Sequence, residues 1–197
     1  FIGNIMKRIL LILLTLSIFT TSIFAQEEQG DIYDDGYVYE QNGRGDQFLK
    51  INLGTLIPLN FDKQLYVGGA ADLGFYYFLN KWIAIGGEFT ATYNISIGRK
   101  ILIMLPITFG VIAQPYTGNF EFPISLNVGV GYQTWQSIDY FPSFVLKASA
   151  GGYYRMNESW SFGLSSSFIW IPQRFKNKSK NDDALFLNAC IGARYHF

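Results

Sequence analysis

The chain of 197 residues contains a single cysteine, Cys190, and a single histidine, His196. One cysteine excludes an intramolecular disulfide in any compartment. One histidine leaves little room for a metal centre or a catalytic triad, because both need an imidazole together with further ligands or a nucleophile. No phosphate-binding loop or metal-ligand spacing is present, so the sequence predicts neither an enzyme nor a cofactor.

Charged residues are also scarce. They make up 15% of the chain, against about 25% in an average soluble domain. Aromatic residues, in contrast, reach 18%. A soluble domain with so few charges would be poorly hydrated at its surface. The formal net charge is zero, although the stretch 27–40 is acidic and the later sequence leans basic. No nucleic-acid partner is predicted.

Long hydrophobic runs are missing except near the start of the sequence. Lys7 and Arg8 precede the apolar run Ile9–Phe19, and the small residue Ala25 follows at a plausible cleavage position. This order is typical of a secretory signal peptide. The run is shorter than the ~20 residues that a membrane-spanning helix needs, although an uncleaved anchor is an alternative. We therefore predict a short upstream extension and a signal peptide over residues 1–25.

The next segment, residues 26–45, is acidic, contains glycine and tyrosine, and has no apolar period. It is interpreted as a flexible N-terminal arm. From residue 46 onward, apolar and polar residues alternate, which is typical of half-buried strands. The alternation predicts eight strands, at 48–59, 66–78, 82–96, 101–113, 122–135, 141–155, 160–171 and 184–197.

An even number of strands, each about 12–15 residues long, is typical of a transmembrane barrel. The connections support this, because tight turns at 79–81, 115–119 and 157–159 alternate with more variable loops. The predicted fold is an all-β, eight-stranded, up-and-down antiparallel transmembrane barrel over residues 46–197. The last strand should pair with the first, so that no strand edge is left open.

The two faces of the predicted strands differ in composition. One face is small and polar, with Asp72, Thr108 and Asn127, whereas the other carries aliphatic residues such as Leu126 and Leu164. Small residues suit the crowded interior of an eight-stranded barrel, and aliphatic residues suit lipid. Aromatic residues cluster near both strand ends, with Trp135 assigned to the loop-side band. A soluble ligand-binding barrel, with its apolar face inside, is the alternative.

Residues 46–197 resemble the small outer-membrane barrels of the OmpA, OmpX and OmpW type, with OmpW-like proteins the most similar in strand number and size. The resemblance rests on this architecture and on the ending Tyr195-x-Phe197. It implies that Tyr195 and Phe197 act as an assembly signal for the barrel-insertion machinery. It also implies a location in the bacterial outer membrane, with membrane lipid as a partner.

Charged residues recur on the inward face of the predicted strands. Asp72 and Glu88 are equidistant from Asn80, so a symmetric hairpin would place the two carboxylates opposite each other. Like charges in that position are destabilising, and cations should therefore lie between them. The predicted interior charge network consists of Asp72, Glu88, Lys50, Lys147, Arg155 and Arg194. It is either a gate or a structural plug.

Apolar side chains are expected on the same inward face toward the variable loops. They form either a small apolar pocket or simple packing of a narrow barrel, and they are Leu56, Tyr66, Met104, Val145, Ile169 and Ile171. His196 also falls on the inward face, with no serine or acid evident in register. Cys190 is interpreted as a small filler.

A basic segment lies in the last variable loop, with Arg174, Lys176, Lys178 and Lys180. It is either a solvated loop or a patch that contacts anionic headgroups or polyanions. Two functions follow from these patterns. The first is a narrow, OmpW-like pore or carrier for small solutes, and the second is a non-conducting surface barrel whose basic loops bind host or lipid ligands.

Overall fold

The computed structural model describes residues 41–61, 65–135, 138–173 and 182–197. Nearly all of them lie in antiparallel strands or in the connections between strands. The strands are β1 (Gln47–Pro58), β2 (Gly68–Asn80), β3 (Ile83–Ile95), β4 (Ile101–Ala113), β5 (Tyr116–Thr117), β6 (Phe120–Glu121), β7 (Ile124–Trp135), β8 (Ile138–Arg155), β9 (Trp160–Gln173) and β10 (Asp182–His196).

Eight of these strands close into a barrel in the order β1-β2-β3-β4-β7-β8-β9-β10, and β10 pairs with β1. The closing register places Leu49 opposite Tyr195 and Leu53 opposite Ile191. The eight-stranded barrel predicted from the sequence is therefore confirmed. Closure leaves every long strand paired on both sides, which satisfies the backbone groups that lipid cannot hydrate.

The connection between β4 and β7 differs from the prediction of a simple tight turn. It contains the two-residue strands β5 and β6, which form a small hairpin, and β6 extends the sheet by pairing Phe120 with Tyr154 of β8. The hairpin ends at Glu121, and β7 begins at Ile124 instead of residue 122. Among the described residues, no helix is long and apolar enough to cross a membrane.

The exterior of the barrel is apolar and the interior is polar at mid-height, as predicted. Leu53 and Leu164 on the outer face are 59% and 65% exposed, whereas Thr108 and Asn127 on the inner face are completely buried. Trp135 is a correction to the predicted aromatic band. Its side chain is partly buried against the interior cluster, because it lies two residues beyond the inward-facing Gln133 and therefore on the same face.

Candidate functional site

The middle of the lumen is occupied by a network of charged side chains. The Lys147 Nζ atom lies 2.7 Å from Asp72 Oδ1 and 2.9 Å from Glu88 Oε2. Lys50 pairs with Glu88 on its other side. The six charged side chains that were expected inside are all buried, namely Lys50, Asp72, Glu88, Lys147, Arg155 and Arg194. The expected cation therefore does lie between the two carboxylates.

The predicted pairing of Asp72 with Glu88 is wrong. Asp72 stands opposite Thr90, and Glu88 stands opposite Gly74. The register shifts between Phe78 and Asn80 at the end of β2, so the hairpin is not symmetric about Asn80. The two carboxylates are consequently staggered along the barrel, which gives room for Lys147 between them.

Each carboxylate in this network has additional donors. Thr90 Oγ1 donates to Asp72 Oδ1 at 2.6 Å, and Asn188 Nδ2 donates to Asp72 Oδ2 at 3.3 Å. The Tyr76 hydroxyl donates to Glu88 Oε1 at 2.8 Å. Buried charges are tolerated when they are both paired and hydrogen-bonded, and these contacts meet that requirement.

A second charged layer lies toward the turn-side end, around Glu121 of β6. Glu121 is completely buried, with its Oε1 atom 3.1 Å from Arg155 Nε and its Oε2 atom 3.6 Å from Arg194 Nη1. Gln41 Nε2 also donates to Glu121 Oε1 at 3.1 Å. Glu121 is not among the charged residues predicted to lie inside, although the alternation in Phe120-Glu121-Phe122 would place it there.

His196 belongs to this turn-side layer, and a serine that is not in register with it lies within hydrogen-bond distance. Ser161 stands opposite Arg194, on the same inward face as His196. The Ser161 Oγ atom is 2.8 Å from His196 Nε2, and the Arg155 guanidinium contacts Nδ1. Because a guanidinium only donates hydrogen bonds, Nδ1 is the accepting nitrogen. Nε2 therefore carries the proton and donates to Ser161, so the imidazole does not act as a base toward that hydroxyl.

The loop-side half of the lumen is filled by a cluster of apolar side chains. Its buried members are Leu56, Leu65, Ala70, Leu102, Met104, Val145, Ile169, Ile171, Ala184 and Phe186. The rings of Phe61 and Phe186 lie 5.0 Å apart at its loop-side edge. Each of the ten is at most 9% exposed, which favours packing over an open pocket.

Five of the six residues predicted for the apolar pocket belong to this cluster, and Tyr66 does not. Tyr66 is 56% exposed, whereas its neighbour Leu65 is 6% exposed and takes the inward position. The alternation fails here because β2 begins only at Gly68. Leu65 instead forms an isolated bridge with Ser96 of the next loop.

One cavity of about 20 Å³ lies inside the polar half of the barrel. A cavity of about 10–15 Å³ is enough to hold a single water molecule. Its walls include Lys50, Asp72, Lys147, Arg194, Ser149 and Ser165. This cavity therefore offers room for little more than a water-sized molecule.

The other predicted site residues divide into two groups. Tyr195 and Phe197 contact each other edge to face, with ring centroids 4.9 Å apart. Three other predicted features lie outside the described residues: the predicted signal peptide, residues 26–40 of the predicted arm, and the basic segment with Arg174, Lys176, Lys178 and Lys180. Within the described ranges, no group of His, Cys, Asp and Glu side chains is arranged to hold a metal ion.

The closed barrel, its lipid-facing exterior and its filled lumen define a small eight-stranded barrel of the outer-membrane type. Three solved structures share this fold. Neisserial surface protein A has a TM-score of 0.63 and 11% identity, and the match covers 78% of this chain and 99% of that one. OprG from Pseudomonas aeruginosa has a TM-score of 0.53, 15% identity and coverages of 80% and 99%, and Ail of Yersinia pestis has a TM-score of 0.52, 15% identity and coverages of 78% and 99%. The OmpA, OmpX and OmpW type of fold is thereby supported, without a preference for the OmpW group.

A protein-family model matches residues 26–195, and the chain therefore belongs to that family. Two uncharacterized proteins of Treponema pallidum are 28% identical over 134 residues and 27% identical over 173 residues, covering 68% and 79% of this chain. The chain spans only 61% and 56% of their lengths. A protein of Borreliella burgdorferi is 25% identical over 162 residues, which cover 67% of this chain and 75% of that protein.

Proposed function

We propose that this protein is an integral barrel of the bacterial outer membrane, with a closed lumen, that acts through its surface and not as an open pore. The observation that carries the proposal is that side chains fill the lumen along its length. Eight-stranded barrels ordinarily have an interior just wide enough for side chains. Here that interior contains an apolar cluster, an ionic layer and the Glu121 layer in succession.

Contacts between non-adjacent strands support the closed lumen. The Tyr153 hydroxyl of β8 donates to Asn52 Oδ1 of β1 at 3.1 Å, and Lys147 of β8 reaches Asp72 of β2. Such contacts cross the space that a permeating solute would need. A hydrated ion would have to break buried ion pairs and then pass an apolar layer, and both steps are unfavourable.

The proposal is tested by single-channel recording of the full chain refolded into a planar bilayer. Folding is verified beforehand by circular dichroism and by the mobility shift of the heated sample on gels. We expect a correctly folded barrel without discrete conductance steps. Steps in the wild-type protein that change size in Asp72→Asn and Glu88→Gln would contradict the proposal and would support a pore gated by the ionic layer.

That gated pore, the second candidate function, has one specific observation in its favour. Lys147 pairs with both Asp72 and Glu88, so a single side-chain movement would break two ion pairs together. The apolar cluster argues against it, because breaking those pairs leaves Leu56 and Ile169 in the path. If conductance appears only when both the ionic layer and the apolar cluster are altered, the two layers close the lumen jointly.

Surface binding is proposed for the basic segment at the loop side. Arg174, Lys176, Lys178 and Lys180 are spaced two residues apart, a density that favours binding to sulfated or phosphorylated polyanions. Ail, which shares the fold, has been solved in complex with the heparin analogue sucrose octasulfate. Heparin is therefore a suitable probe for this chain.

The matched experiment compares heparin-column retention of the wild type with a variant in which these four residues are changed to glutamine. We expect the variant to lose its retention on the heparin column. Lys100→Gln, a single exposed change in another loop-side connection, serves as the control and should elute close to the wild type. Retention that survives the fourfold change would contradict binding by this segment.

Under the same proposal the protein has no enzymatic activity, and Tyr195 and Phe197 act in insertion of the barrel.

A further inference from the structure

The cavity inside the polar half of the barrel is lined mainly by hydrogen-bond donors. Arg194 is 2% exposed, and its Nε atom has no acceptor among the described residues. Lys50 is 5% exposed, and its Nζ atom donates to Glu88, its one hydrogen-bond acceptor among the described residues. Both side chains form part of the cavity wall. Two cations therefore bring spare N–H groups to the wall of one small cavity.

The hydroxyl groups in the wall add to this excess. Ser165 Oγ accepts a hydrogen bond from Asn52 Nδ2 at 3.1 Å, which leaves its own O–H free to donate. Ser149 Oγ is buried and has no partner among the described residues. Since a hydroxyl rotates to suit its neighbours, both serines are able to point a proton at a bound acceptor.

The carboxylate and amide acceptors in the same wall are already used, which leaves only serine hydroxyl oxygens. Both oxygens of Asp72, the carboxylate that lines the cavity, receive hydrogen bonds, Oδ1 from Lys147 and Thr90 and Oδ2 from Asn188. Asn52 Oδ1 accepts from the Tyr153 hydroxyl. Three cationic side chains, Lys50, Lys147 and Arg194, thus face a cavity with one carboxylate, whose lone pairs are directed elsewhere.

We propose that this cavity binds one small monovalent anion of the halide class. A halide accepts hydrogen bonds from several directions and brings no donor of its own, which matches a wall with excess donors. A water molecule would bring two donors of its own, for which only serine hydroxyl oxygens are left as acceptors. Sulfate and phosphate are excluded by size, because the volume of about 20 Å³ is close to that of a single water-sized site. The halide would be held by Arg194, Lys50 and Ser149, and it would offset positive charge in the low-dielectric interior.

The first test is the stability of the full chain refolded into lipid vesicles in sodium chloride, sodium bromide or sodium gluconate at constant ionic strength. Binding to the folded state alone raises stability with ligand concentration until the site saturates. We expect the urea midpoint to rise with chloride and bromide and not with gluconate. A midpoint that is indifferent to the anion would overturn the proposal and leave the cavity to water.

Variants separate this site from general effects of salt. Arg194→Gln should abolish the halide dependence, and Ser149→Ala, a smaller change that keeps the charges, should weaken the apparent halide affinity about tenfold through loss of one hydrogen bond to an anion. Lys100→Gln, at an exposed loop position, should respond as the wild type does. A Ser149→Ala barrel with unchanged halide affinity would argue against the site.

Crystals of the wild-type barrel grown in sodium bromide provide the direct readout, since bromide scatters anomalously. A peak within hydrogen-bond distance of Arg194 and Ser149 is expected. Bromide peaks confined to the protein surface would overturn the proposal, whatever the stability measurements show.

Discussion

Lys147 and Asp72 form an ion pair of 2.7 Å across the lumen, although their strands stand on opposite sides of the barrel. Between β8 and β2 lie β7, β4 and β3 in one direction and β9, β10 and β1 in the other. The pair therefore ties two walls that share no backbone hydrogen bonds. It closes the lumen at mid-height and contributes to the rigidity of the cross-section.

The first prediction concerns this cross-lumen cation. Lys147→Met leaves Asp72 and Glu88 buried with one shared partner removed, and removal of one partner from a buried ion pair costs about 3–5 kcal/mol. We expect the free energy of unfolding to fall by that order, measured by urea titration of the barrel in lipid vesicles with tryptophan fluorescence. The double variant Asp72→Asn/Lys147→Met should recover part of the loss, because one uncompensated charge is removed.

The control for this measurement is Lys100→Met, which removes an exposed lysine. Surface changes of this kind usually stay within about 0.5 kcal/mol. If Lys147→Met were as stable as Lys100→Met, the mid-lumen ion pairs would not contribute to folding, and their role would have to be functional.

The second prediction concerns the apolar layer. Leu56 is completely buried inside the barrel, and Leu164 is 65% exposed on its outer face. Leu56→Ala opens a void among close-packed side chains and should cost about 2–5 kcal/mol. The same change at Leu164 should cost clearly less in the same urea titration, because lipid chains take the place of the missing atoms. Equal losses at the two positions would show that the loop-side cluster is loosely packed.

Much of this architecture is predictable from the sequence because strand alternation has a period of two. The period places Thr108 inside and Leu126 outside without any knowledge of tertiary structure. It also predicts which charged residues lie inside. The side chains of Lys50 and Arg194 are placed in the lumen once their strands are known, because alternate positions of a strand face inward. Barrel closure follows because no other arrangement of such strands satisfies all their backbone groups in lipid.

The parts that were not predicted lie where the alternation is interrupted. Tyr66 and Leu65 exchange faces just before β2 begins, and the register shift near Asn80 moves Asp72 away from Glu88. Glu121 was missed because it lies between the predicted turn at 115–119 and the predicted strand from 122. Contacts across the lumen, such as Lys147 with Asp72, depend on the closed cross-section and cannot be derived from the period of a single strand.

The third prediction concerns the close approach of β4 and β7. A Cβ atom at Gly129 would lie 2.0 Å from the carbonyl oxygen of Ile107 and 2.6 Å from Thr108 Cα. Both are backbone atoms, so the neighbouring strand would have to move as a whole. Gly129→Ala should therefore prevent refolding or lower the free energy of unfolding by about 3 kcal/mol or more, measured by the gel mobility shift and the urea midpoint.

Gly152 offers a matched control on the same barrel. A Cβ atom there would have nothing within 4 Å, so alanine meets no obstacle. Because glycine in a strand carries an entropic cost, Gly152→Ala should gain about 0.5–1 kcal/mol. If both alanine variants refolded with wild-type midpoints, the strand spacing at Gly129 would be more adaptable than the structure indicates.

The last prediction concerns Asn60, whose side chain links the connection after β1 to the start of β10. Its Oδ1 atom accepts from the Leu185 amide at 2.9 Å, and its Nδ2 group donates to the Asp183 carbonyl. Asn60→Ala removes both bonds and should lower local stability by about 1 kcal/mol. Hydrogen exchange should then accelerate at the Leu185 amide and stay unchanged at Leu53 in the middle of β1. Asn60→Asp keeps the acceptor and should retain much of the Leu185 protection, so equal acceleration in both variants would show that the Leu185 amide is protected by something other than this side chain.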